Sequence, residues 1–404
     1  MKVVQLTGSE QGGAGVVARN LSQGLLNLGV QSETVALLKS DLRSEPFSAP
    51  LLTASAILDE YIVKSNSTRT QISYFRSKLS SKTVLNTSQC DLLNLHWVQG
   101  VLTTEDIKRL FLLRTPLVWT MHDMAPFTSV CHHSGGCTGF HFQCSSCPQA
   151  RTPFRHGIEI AMLKKIQAFN QARDVVFVAP SNWLANKARK SSILSDHDVR
   201  VIPNPIDSVF LQPLAKSKMR IKLGLNQGSH VISIVAKNLG DPNKQIRVVI
   251  EQFQRFRLQS NFESQLLLVG DGELNMPLGP NVRRYTHRTP EELREIYCAS
   301  DVLVSASIDE TFGLTLAEAA AVGTLILTSE GHAGSDLVQD GIDGFKMSTA
   351  HALAHSLEKI FALGPEIRES IAQSGSALAL SKCDPKQVAE SYKKIYEELL
   401  LPGT

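Results

Sequence analysis

Two glutamates with seven residues between them, Glu310 and Glu318, lie in a segment that could hold a diphosphate. The segment follows a short apolar run, and we expect Thr311–Gly313 to form the first turn of a helix. Amides that begin a helix have no intrahelical partner and favour negative charge, so they bind phosphate oxygens. A carboxylate two turns further in accepts hydrogen bonds from sugar hydroxyls. The spacing alone is a weak signal, because two other glutamate pairs of the chain have it. Only this pair has a predicted strand before it and a helix of small residues after it, and this context makes it the candidate.

Two lysines, Lys237 and Lys244, follow the first predicted strand of the second half of the chain. An ammonium group there could neutralise a phosphate as a compact point charge. Ligands of open parallel sheets bind at the carboxyl ends of the strands, where both lysines would lie. An ordinary solvated lysine is the alternative at each position.

A glycine-rich loop, Gly8–Gly15, follows the first predicted strand and opens a helix that runs to about Leu28. Gly12 and Gly13 would let the backbone approach a ligand closely, and the helix N-terminus favours negative charge. The loop lacks the G-x-G-x-x-G spacing, and no acidic residue is clearly placed to hold a ribose. Both features disfavour a nicotinamide-dependent dehydrogenase. A tight turn without a ligand is the alternative.

Two histidines end predicted strands of the first half, in the pairs His96-Trp97 and His122-Asp123. Strand ends face the ligand in a doubly wound sheet. A histidine there can donate to a sugar hydroxyl or a phosphate, or move a proton, since its pKa lies near neutrality. A buried structural histidine is the alternative in each case.

Four of the seven cysteines lie within 17 residues, at Cys131, Cys137, Cys144 and Cys147. Cys144 and Cys147 have two residues between them, a spacing that suits half of a zinc site, and Cys131 and Cys137 could supply the other two thiolates. The four cysteines therefore predict a structural zinc site. Their overall spacing is not that of a common zinc finger, and free thiols or disulfides are the alternatives. A catalytic metal is not expected here, because four thiolate ligands leave no open position.

Residues 61–82 contain five basic side chains and no acidic one, with Tyr74 and Phe75 among them. Basic charge interleaved with aromatic rings suits the surface of an anionic membrane or a phosphorylated acceptor. A solvated loop or helix is the alternative. We therefore predict peripheral contact between residues 61–82 and an anionic membrane.

The elements that would position these residues are short apolar strands alternating with amphipathic helices, a pattern typical of α/β doubly wound sheets. Prolines at 203 and 205 stop one strand, and a new strand–helix series starts near residue 230. We expect two Rossmann-like domains, 1–203 and 204–384, facing a cleft, and a C-terminal helix of about 385–404 that could pack back on the first. The predicted strands are 3–7, 34–38, 91–96, 117–122, 175–179, 199–202, 230–236, 265–269, 302–305 and 325–328.

The composition is that of a globular protein, with 404 residues of which 43% are hydrophobic and 20% charged. No stretch reaches 18 apolar residues, the N-terminal apolar run is too short for a signal peptide, and seven cysteines are too few for a disulfide scaffold. We expect a cytoplasmic protein. The net charge of +3 argues against nucleic acid as a partner. Residues 1–203 have 21 basic and 14 acidic residues, a net of +7, whereas residues 204–404 have 20 and 24, a net of −4.

Taken together, these motifs resemble the GT-B fold glycosyltransferases of family 4, above all the bacterial branch that builds exopolysaccharide, capsule and O-antigen chains. Gly12–Gly15 is similar to the N-terminal glycine loop of that family, and Ile202–Asp207 resembles its I-P-N-G-x-D segment. Glu310–Glu318, with Phe-Gly-Leu inside it, matches the E-x7-E signature, and Gly341–Phe345 resembles the loop that follows. Cys131–Pro148 looks like the cysteine motif of the polysaccharide branch.

The resemblance implies a retaining, metal-independent transfer of a sugar from a UDP- or GDP-sugar to a glycan or polyprenyl-linked acceptor. It implies that the second domain binds the donor, with Glu318 on the ribose and Glu310 by the donor sugar and phosphate. Lys244 and Lys237 would bind the diphosphate together with the amides of Phe312, Gly313 and Leu314.

The resemblance also implies roles in the first domain. His122 would contact the donor sugar, and His122, Lys244 and Glu310 would be the residues closest to the chemistry. Gly12, Gly13, His96 and Asp123 would lie on the acceptor side, and Gly13 would also approach the donor.

The sequence departs from the family pattern at two positions beside the phosphate lysines. Ala236-Lys237 stands where Gly-Arg is usual, which keeps the charge and loses the bidentate geometry of arginine. Gln245 replaces the usual glycine after Lys244. A nucleotide-sugar epimerase of the same fold and a non-catalytic binding subunit are the competing interpretations.

Overall fold

The short apolar runs of the sequence form two parallel sheets in the computed structural model of the chain. The structure describes residues 1–10, 12–37, 90–113, 115–286 and 288–401, together with 59, 61, 62, 72 and 73. It separates into two units, Met1–Asn204 with Val388–Thr404, and Pro205–Gln387. Each unit holds one six-stranded sheet, which confirms the predicted α/β class with two Rossmann-like sheets.

Unit 1 is built on a sheet with strand order β2-β1-β3-β4-β5-β6. Strands β3, β4 and β5 are buried along their whole length, because helices cover both faces of a parallel sheet. Trp119 of β4 and Phe177 of β5 form an aromatic core with Phe169, which ends a helix packed on the sheet. The strands are β1 (Lys2–Thr7), β2 (Gln31–Ala36), β3 (Leu92–Leu95), β4 (Leu117–Thr120), β5 (Val175–Ala179) and β6 (Asp198–Val201).

Five helices have bounds within the part of unit 1 that the structure describes. The second begins with a capping box in which Thr103 and Asp106 satisfy each other's backbone amides. The last is the C-terminal helix, whose Val388, Tyr392 and Tyr396 are buried against the sheet beside Val3, Leu92 and Val118. The helices are α1 (Gly13–Asn27), α2 (Thr104–Phe111), α3 (Arg155–Phe169), α4 (Asn182–Arg189) and α11 (Pro385–Leu400).

Unit 2 has the strand order β12-β11-β10-β7-β8-β9. Its strands are β7 (His230–Asn238), β8 (Ser264–Asp271), β9 (Val282–Tyr285), β10 (Val302–Ser305), β11 (Leu325–Ser329) and β12 (Phe345–Met347). Its helices are α5 (Lys216–Lys222), α6 (Ile246–Gln259), α7 (Pro290–Ala299), α8 (Leu314–Ala321), α9 (Leu353–Ala362) and α10 (Pro365–Cys383).

The strand order of each sheet reverses direction beside its first strand. In unit 1 the reversal lies between β1 and β3, and in unit 2 it lies between β7 and β10. The loops that leave such neighbouring strands run to opposite faces of the sheet and open a crevice at the carboxyl ends, where ligands of this fold class bind. The loops after β7 and β10 contain Lys244 and Glu310, while Lys237 lies at the end of β7 and Glu318 lies within α8.

Candidate functional site

The loops after β7 and β10 bring Lys244 and Glu310 together. The Lys244 ammonium donates to Glu310 Oε2 at 2.8 Å and contacts Ser307 Oγ at 3.3 Å. Burial would lower the pKa of Lys244, but the Glu310 carboxylate raises it above the ordinary value of a lysine. The lysine is therefore a cation at neutral pH, at the crevice of the sheet.

Asn243 fixes the distance between the two loops. Its side-chain amide donates to the carbonyl of Asp309 at 2.8 Å and accepts from the Asp309 amide at 2.8 Å. Its backbone carbonyl accepts from the amide of Ile308 at 2.9 Å. Three hydrogen bonds across 66 residues of sequence hold the lysine loop against the glutamate loop, so the ion pair rests on a fixed backbone.

Gln245, the residue after Lys244, lies in the left-handed region at φ 52° and is the N-cap residue that precedes α6. Side chains with a Cβ adopt this conformation at a cost of about 1–2 kcal/mol, and glycine adopts it freely. The glycine that is usual at this position in the family thus has a conformational reason. Gln245 adopts the same left-handed turn that a glycine would adopt, so Lys244 stays in place, but the backbone of Gln245 is strained.

Helix α8 begins at Leu314, so the prediction that Thr311–Gly313 form its first turn is wrong. Gly313 has φ 94°, a left-handed conformation that stops the helix from starting earlier. Phe312 is 3% exposed and packs in the apolar core. The first helical hydrogen bonds run from the amides of Leu316 and Ala317 to Gly313. The amides of Leu314 and Thr315 precede them and are the donors that this helix start can offer to an anion.

Glu318 lies within α8 and is 7% exposed. The Tyr297 hydroxyl donates to its Oε2 at 3.1 Å. Burial raises the pKa of Glu318 to about 8, although the Tyr297 hydrogen bond opposes the shift. The side chain is mostly a neutral acid at pH 7 and becomes a stronger acceptor of hydroxyl hydrogen bonds when it ionises.

Lys237 occupies the exposed end of β7, one residue before the strand ends at Asn238.

Sequence reasoning missed a third loop at this edge, which follows β11. The amide of Ala333 donates to the carbonyl of Glu310 at 2.9 Å, and the buried His332 accepts from the Gly334 amide through Nδ1 at 3.0 Å. Burial lowers the pKa of His332. The segment after β11 has a single histidine among glycines and alanine, which by itself did not indicate a contact with the Glu310 loop.

The glycine loop of unit 1 lies after β1. Gly12 has φ 86° and caps α1, and a Cβ added at Gly13 would meet nothing within 4 Å. Two other glycines are required by close backbone approach: a Cβ at Gly8 would lie 2.7 Å from the carbonyl of Trp97, and one at Gly15 would lie 2.3 Å from that of Glu10. The loop thus packs tightly at its two ends and leaves open space at Gly13.

His96 and His122, at the ends of β3 and β4, contact each other through His96 Nδ1 and His122 Nε2 at 2.9 Å. His96 is 1% exposed, and its Nε2 contacts Gln5 Oε1 at 2.9 Å. Burial lowers the pKa of His122 to about 4 and also lowers that of His96, so both rings are neutral at pH 7.

Asp123 is 6% exposed and its carboxylate accepts three hydrogen bonds. The donors are the ring nitrogen Nδ1 of His132, the indole of Trp97 at 3.0 Å and the amide of Ala125 at 2.9 Å. Burial would raise the pKa of Asp123, but His132 lowers it below the ordinary value. His132 Nε2 in turn contacts Ser73 Oγ at 2.8 Å. This arrangement makes Asp123 the organiser of the loop that follows β4.

The four clustered cysteines line one cavity of about 460 Å³. They are free thiols, and burial raises the pKa of Cys131 to about 12 and that of Cys144 to about 11. Among the residues that the structure describes, no three side chains converge as metal ligands. The geometry of the described residues therefore does not support the predicted structural zinc at Cys131, Cys137, Cys144 and Cys147.

The basic residues of the predicted membrane segment 61–82 lie outside the described residues. The structure describes only Tyr61, Ile62, Ile72 and Ser73 of that segment. Within the described part of the chain, no helix has the length and apolar character needed to cross a membrane.

Sequence models of two glycosyltransferase families match the chain. The model "Glycosyltransferase Family 4" matches residues 11–210, and "Glycosyl transferases group 1" matches residues 230–362. The two doubly wound sheets define an α/β architecture of two Rossmann-like units. With both family matches, the chain belongs to the GT-B glycosyltransferases.

Curated relatives are distant and are matched over part of their length. The lipopolysaccharide 1,2-N-acetylglucosaminetransferase of Salmonella typhimurium is 24% identical over 242 residues, which cover 55% of this chain and 61% of the relative. The putative colanic acid biosynthesis glycosyl transferase WcaC of Escherichia coli is 24% identical over 295 residues, 70% of this chain and 68% of the relative. The chain thus spans about two-thirds or less of these relatives.

Solved structures share the fold over the whole chain. Sucrose-phosphate synthase of Thermosynechococcus elongatus has a TM-score of 0.69 and 18% identity, with 99% of each chain covered. HepE of Anabaena, in complex with UDP and glucose, has a TM-score of 0.62 and 17% identity, with 98% of this chain and 100% of HepE covered. At these identities the likeness shows the fold, and it confirms the predicted GT-B class.

Proposed function

We propose that the chain transfers a hexose-type sugar from a nucleotide-sugar donor to a glycan or lipid-linked acceptor in the synthesis of a cell-surface polysaccharide. We further propose that the configuration at the anomeric carbon is retained. The observation that carries the proposal is the Lys244–Glu310 ion pair of 2.8 Å at the strand-order reversal of unit 2, between the loop that leads to α6 and the loop that leads to α8.

The chemical demand of such a transfer is the negative charge that appears on the departing nucleoside diphosphate. The proposed role of Lys244 is to stabilise that charge, together with the amides of Leu314 and Thr315 at the start of α8 and with Lys237 as a second cation. In this proposal these groups do the work that a divalent cation does in other transferases. Glu310, now paired with Lys244, would turn to the donor sugar and the phosphate when the lysine moves to the diphosphate.

Glu318 is the proposed acceptor for the ribose hydroxyls. Glu318 lies four residues, about one helical turn or ~5.4 Å, after Leu314, the first of the proposed diphosphate donors. This separation supports the proposal, because the ribose of a nucleotide lies next to its diphosphate. Ionised carboxylates accept hydrogen bonds from hydroxyls more strongly than neutral acids do. The proposal therefore links nucleotide binding to the ionisation of Glu318.

The proposed roles in unit 1 are those of the acceptor side. Gly12 and Gly13 offer open space at the start of α1, and His122 would contact a sugar hydroxyl. Asp123 and His96 would act through the groups that they hold in place rather than by direct contact, because both are almost fully buried.

The nucleotide and the location are further parts of the proposal. HepE binds UDP-glucose and a starch synthase of Arabidopsis thaliana binds ADP, so UDP-sugars are the first donors to test, with GDP-sugars next. The acceptor assignment follows the Salmonella and Escherichia coli relatives, whose names refer to lipopolysaccharide and colanic acid. We place the chain in the cytoplasm, with peripheral contact to the inner face of the membrane through residues 61–82.

The donor is tested by a thermal-shift screen against UDP-, GDP-, ADP- and dTDP-sugars, since a ligand that binds the folded state raises the melting temperature. We expect a rise with one nucleotide class, and turnover of that donor only when an acceptor is present. Consumption or isomerisation of the donor without acceptor would instead show an epimerase. The absence of a shift with all four classes would contradict the proposal.

The membrane contact is tested by binding to vesicles that contain anionic lipid. Charge reversal at Arg76, Lys78 and Lys82 should weaken binding about tenfold or more, because each basic residue near an anionic surface contributes about 1 kcal/mol. Reversal of Lys216, Lys218 and Lys222 in unit 2 is the matched control. Equal binding by both variants and the unchanged protein would refute the contact.

A further inference from the structure

Three buried polar side chains of unit 1 form a chain of hydrogen bonds from a carboxylate to a hydroxyl. Asp123 Oδ2 contacts His132 Nδ1 at 2.5 Å, and His132 Nε2 contacts Ser73 Oγ at 2.8 Å. Asp123, His132 and Ser73 are 6%, 3% and 6% exposed. The two contacts use opposite nitrogens of one imidazole ring, so the ring can take a proton from the hydroxyl while the carboxylate stabilises the cation that forms.

The bonds around Asp123 set the direction in which a proton can move. Burial would raise the pKa of Asp123, but His132 lowers it below the ordinary value, so the carboxylate is ionised at pH 7 and only accepts hydrogen bonds. His132 Nδ1 is therefore the donor, and Nε2 of the neutral ring is the acceptor for the Ser73 hydroxyl. The Ala125 amide and the Trp97 indole also donate to the carboxylate, at 2.9 Å and 3.0 Å, and hold it in place.

Backbone pairing holds the serine against the loop that contains the histidine. The amide of Ser73 donates to the carbonyl of Val130 at 2.8 Å. Ile72 forms an antiparallel bridge with Cys131, the residue before His132. The contact between the hydroxyl and the imidazole thus joins two segments whose backbones are paired next to it.

A glycine turn that follows β3 passes beside the Ser73 hydroxyl. Gly100 has φ 74°, and a Cβ added to it would lie 3.6 Å from Ser73 Oγ. The amide of Val101 closes the turn by donating to the carbonyl of Val98 at 3.2 Å. No residue in the described ranges accepts from the amide of Gln99 or of Gly100. Amides of this kind, next to a nucleophile, are donors that can stabilise the oxyanion of an acyl-transfer intermediate.

We propose that Ser73, His132 and Asp123 form a second reaction site, built from unit 1 alone, that hydrolyses a carboxylic ester. Ser73 is the nucleophile, His132 is the general base, and Asp123 is the positioning residue. Such triads occur on unrelated folds and are recognised by geometry and not by sequence order. Because all three side chains are almost fully buried, the substrate of this site has a small acyl group such as acetyl.

The reaction at this site has two steps. Ser73 Oγ attacks the carbonyl carbon of the ester while its proton passes to His132 Nε2. The bond between the acyl carbon and the alcohol oxygen then breaks, and the alcohol leaves with that proton, so the acyl group stays on Ser73. In the second step water attacks the acyl carbon and gives a proton to His132, and the acid leaves as the Ser73 oxygen takes that proton back. Asp123 stabilises the imidazolium that forms in each step.

The direct test is covalent labelling of the full chain by a fluorophosphonate, which phosphonylates an activated serine with loss of fluoride. We expect one label per chain, located on Ser73 by mass spectrometry of peptides, and no label in Ser73→Ala. Ser134→Ala is the matched control and should be labelled like the unchanged protein, because Ser134 is also buried in the loop after β4 and bonds to Gln149 through its backbone carbonyl. An unlabelled Ser73 in the unchanged protein would overturn the proposal without any variant.

Hydrolysis of p-nitrophenyl acetate separates a triad from a lone reactive hydroxyl. Ser73→Ala and His132→Gln should each reduce kcat/KM by about 10³-fold or more. The double variant should lose no more than either single variant, because the members of a triad act as a unit. Circular dichroism checks that each variant is folded. Equal hydrolysis by Ser73→Ala and Ser134→Ala, or losses that add in the double variant, would contradict the proposal.

The outcome for this site is independent of the proposed glycosyl transfer. A labelled Ser73 in a chain that binds no nucleotide sugar would refute the proposed function and leave the triad standing. A chain that binds its donor and takes no label on Ser73 would refute the triad alone.

Discussion

Lys244 is the residue on which the proposed charge stabilisation depends most. Replacement by alanine removes a cation from a diphosphate whose charge grows as the bond breaks, and groups of this kind contribute about 2–4 kcal/mol to the transition state. We expect Lys244→Ala to reduce kcat about 10²–10³-fold with a folded protein by circular dichroism. Lys222→Ala is the matched control, since Lys222 pairs with Glu295 at 2.6 Å on the surface. Near-normal turnover of Lys244→Ala would remove the lysine from the mechanism.

Glu318 illustrates a conflict between stability and binding at the residue scale. Its pKa is raised from 4.5 to about 8 in the folded chain. The folded state thus holds the proton more tightly than the unfolded state, so stability present below pH 4.5 is lost as pH rises toward about 8. Glu318→Gln should abolish that loss and raise the melting temperature at pH 8 by several degrees.

The same variant should weaken nucleotide binding. In the unchanged protein, affinity for the nucleotide should increase as pH rises through about 8, because the ionised carboxylate is the better acceptor. Glu318→Gln should show a flat pH profile and a lower affinity at pH 8.5, measured by calorimetry. A stabilised variant with unaltered affinity at every pH would leave Glu318 as a buried acid without a role in binding.

At the scale of elements, the turn between β7 and α6 is strained at Gln245. Gln245→Gly should stabilise the chain by about 1 kcal/mol, since glycine adopts φ 52° without strain. The same change at Gln259, in the last turn of α6, should destabilise by about 0.5–1 kcal/mol. Urea denaturation measures both. A loss of stability in Gln245→Gly equal to that in Gln259→Gly would show that the left-handed turn has no energetic consequence.

Most of the ten predicted strands could be found because they are apolar runs buried on both faces, as at 117–120 and 175–179. Strands β2 and β6 are partly exposed and were found from shorter apolar segments. Strand β9 was missed because Val282–Tyr285 lies at a sheet edge and has two exposed arginines. Strand β12 was missed because Phe345–Met347 has three residues, too few for a pattern. Helix α8 was placed too early because the sequence shows a glycine and does not show its backbone conformation.

Much of the candidate site could be predicted from charge and spacing, since Lys244 and Glu310 follow strands that prove to be neighbours. His96 and His122 were also predicted, but their contacts with each other and with Gln5 could not be, because the three residues are far apart in sequence. The cysteine cluster is a case in which proximity in the sequence predicts a site that the geometry does not support. Clustered thiols in sequence suggested zinc, whereas in the structure they line a cavity without converging.

At the scale of the whole molecule, unit 1 depends on the last residues of the chain. Tyr392 and Tyr396 of α11 are almost fully buried against the sheet of unit 1. They follow the last strand of that sheet, which ends at Val201, only after the whole of unit 2. Tyr392→Ala should destabilise by about 3–5 kcal/mol through the cavity that it leaves. Lys394→Ala, on the exposed side of the same helix, should change stability by less than about 0.5 kcal/mol.

Thermal denaturation of both variants checks this dependence. If unit 1 unfolds first in Tyr392→Ala, the melting of unit 2 should stay near its normal temperature, because its core is built from its own residues. Equal melting of the tyrosine and lysine variants would contradict the packing role of α11.

The central claim is that unit 2 holds a diphosphate between Lys244 and the start of α8, and a crystal structure of the full chain with UDP tests it most directly. The account predicts diphosphate oxygens within hydrogen-bond distance of Lys244 Nζ and of the Leu314 or Thr315 amide, with the ribose on Glu318. UDP bound with its diphosphate away from both Lys244 and the start of α8 would contradict the account.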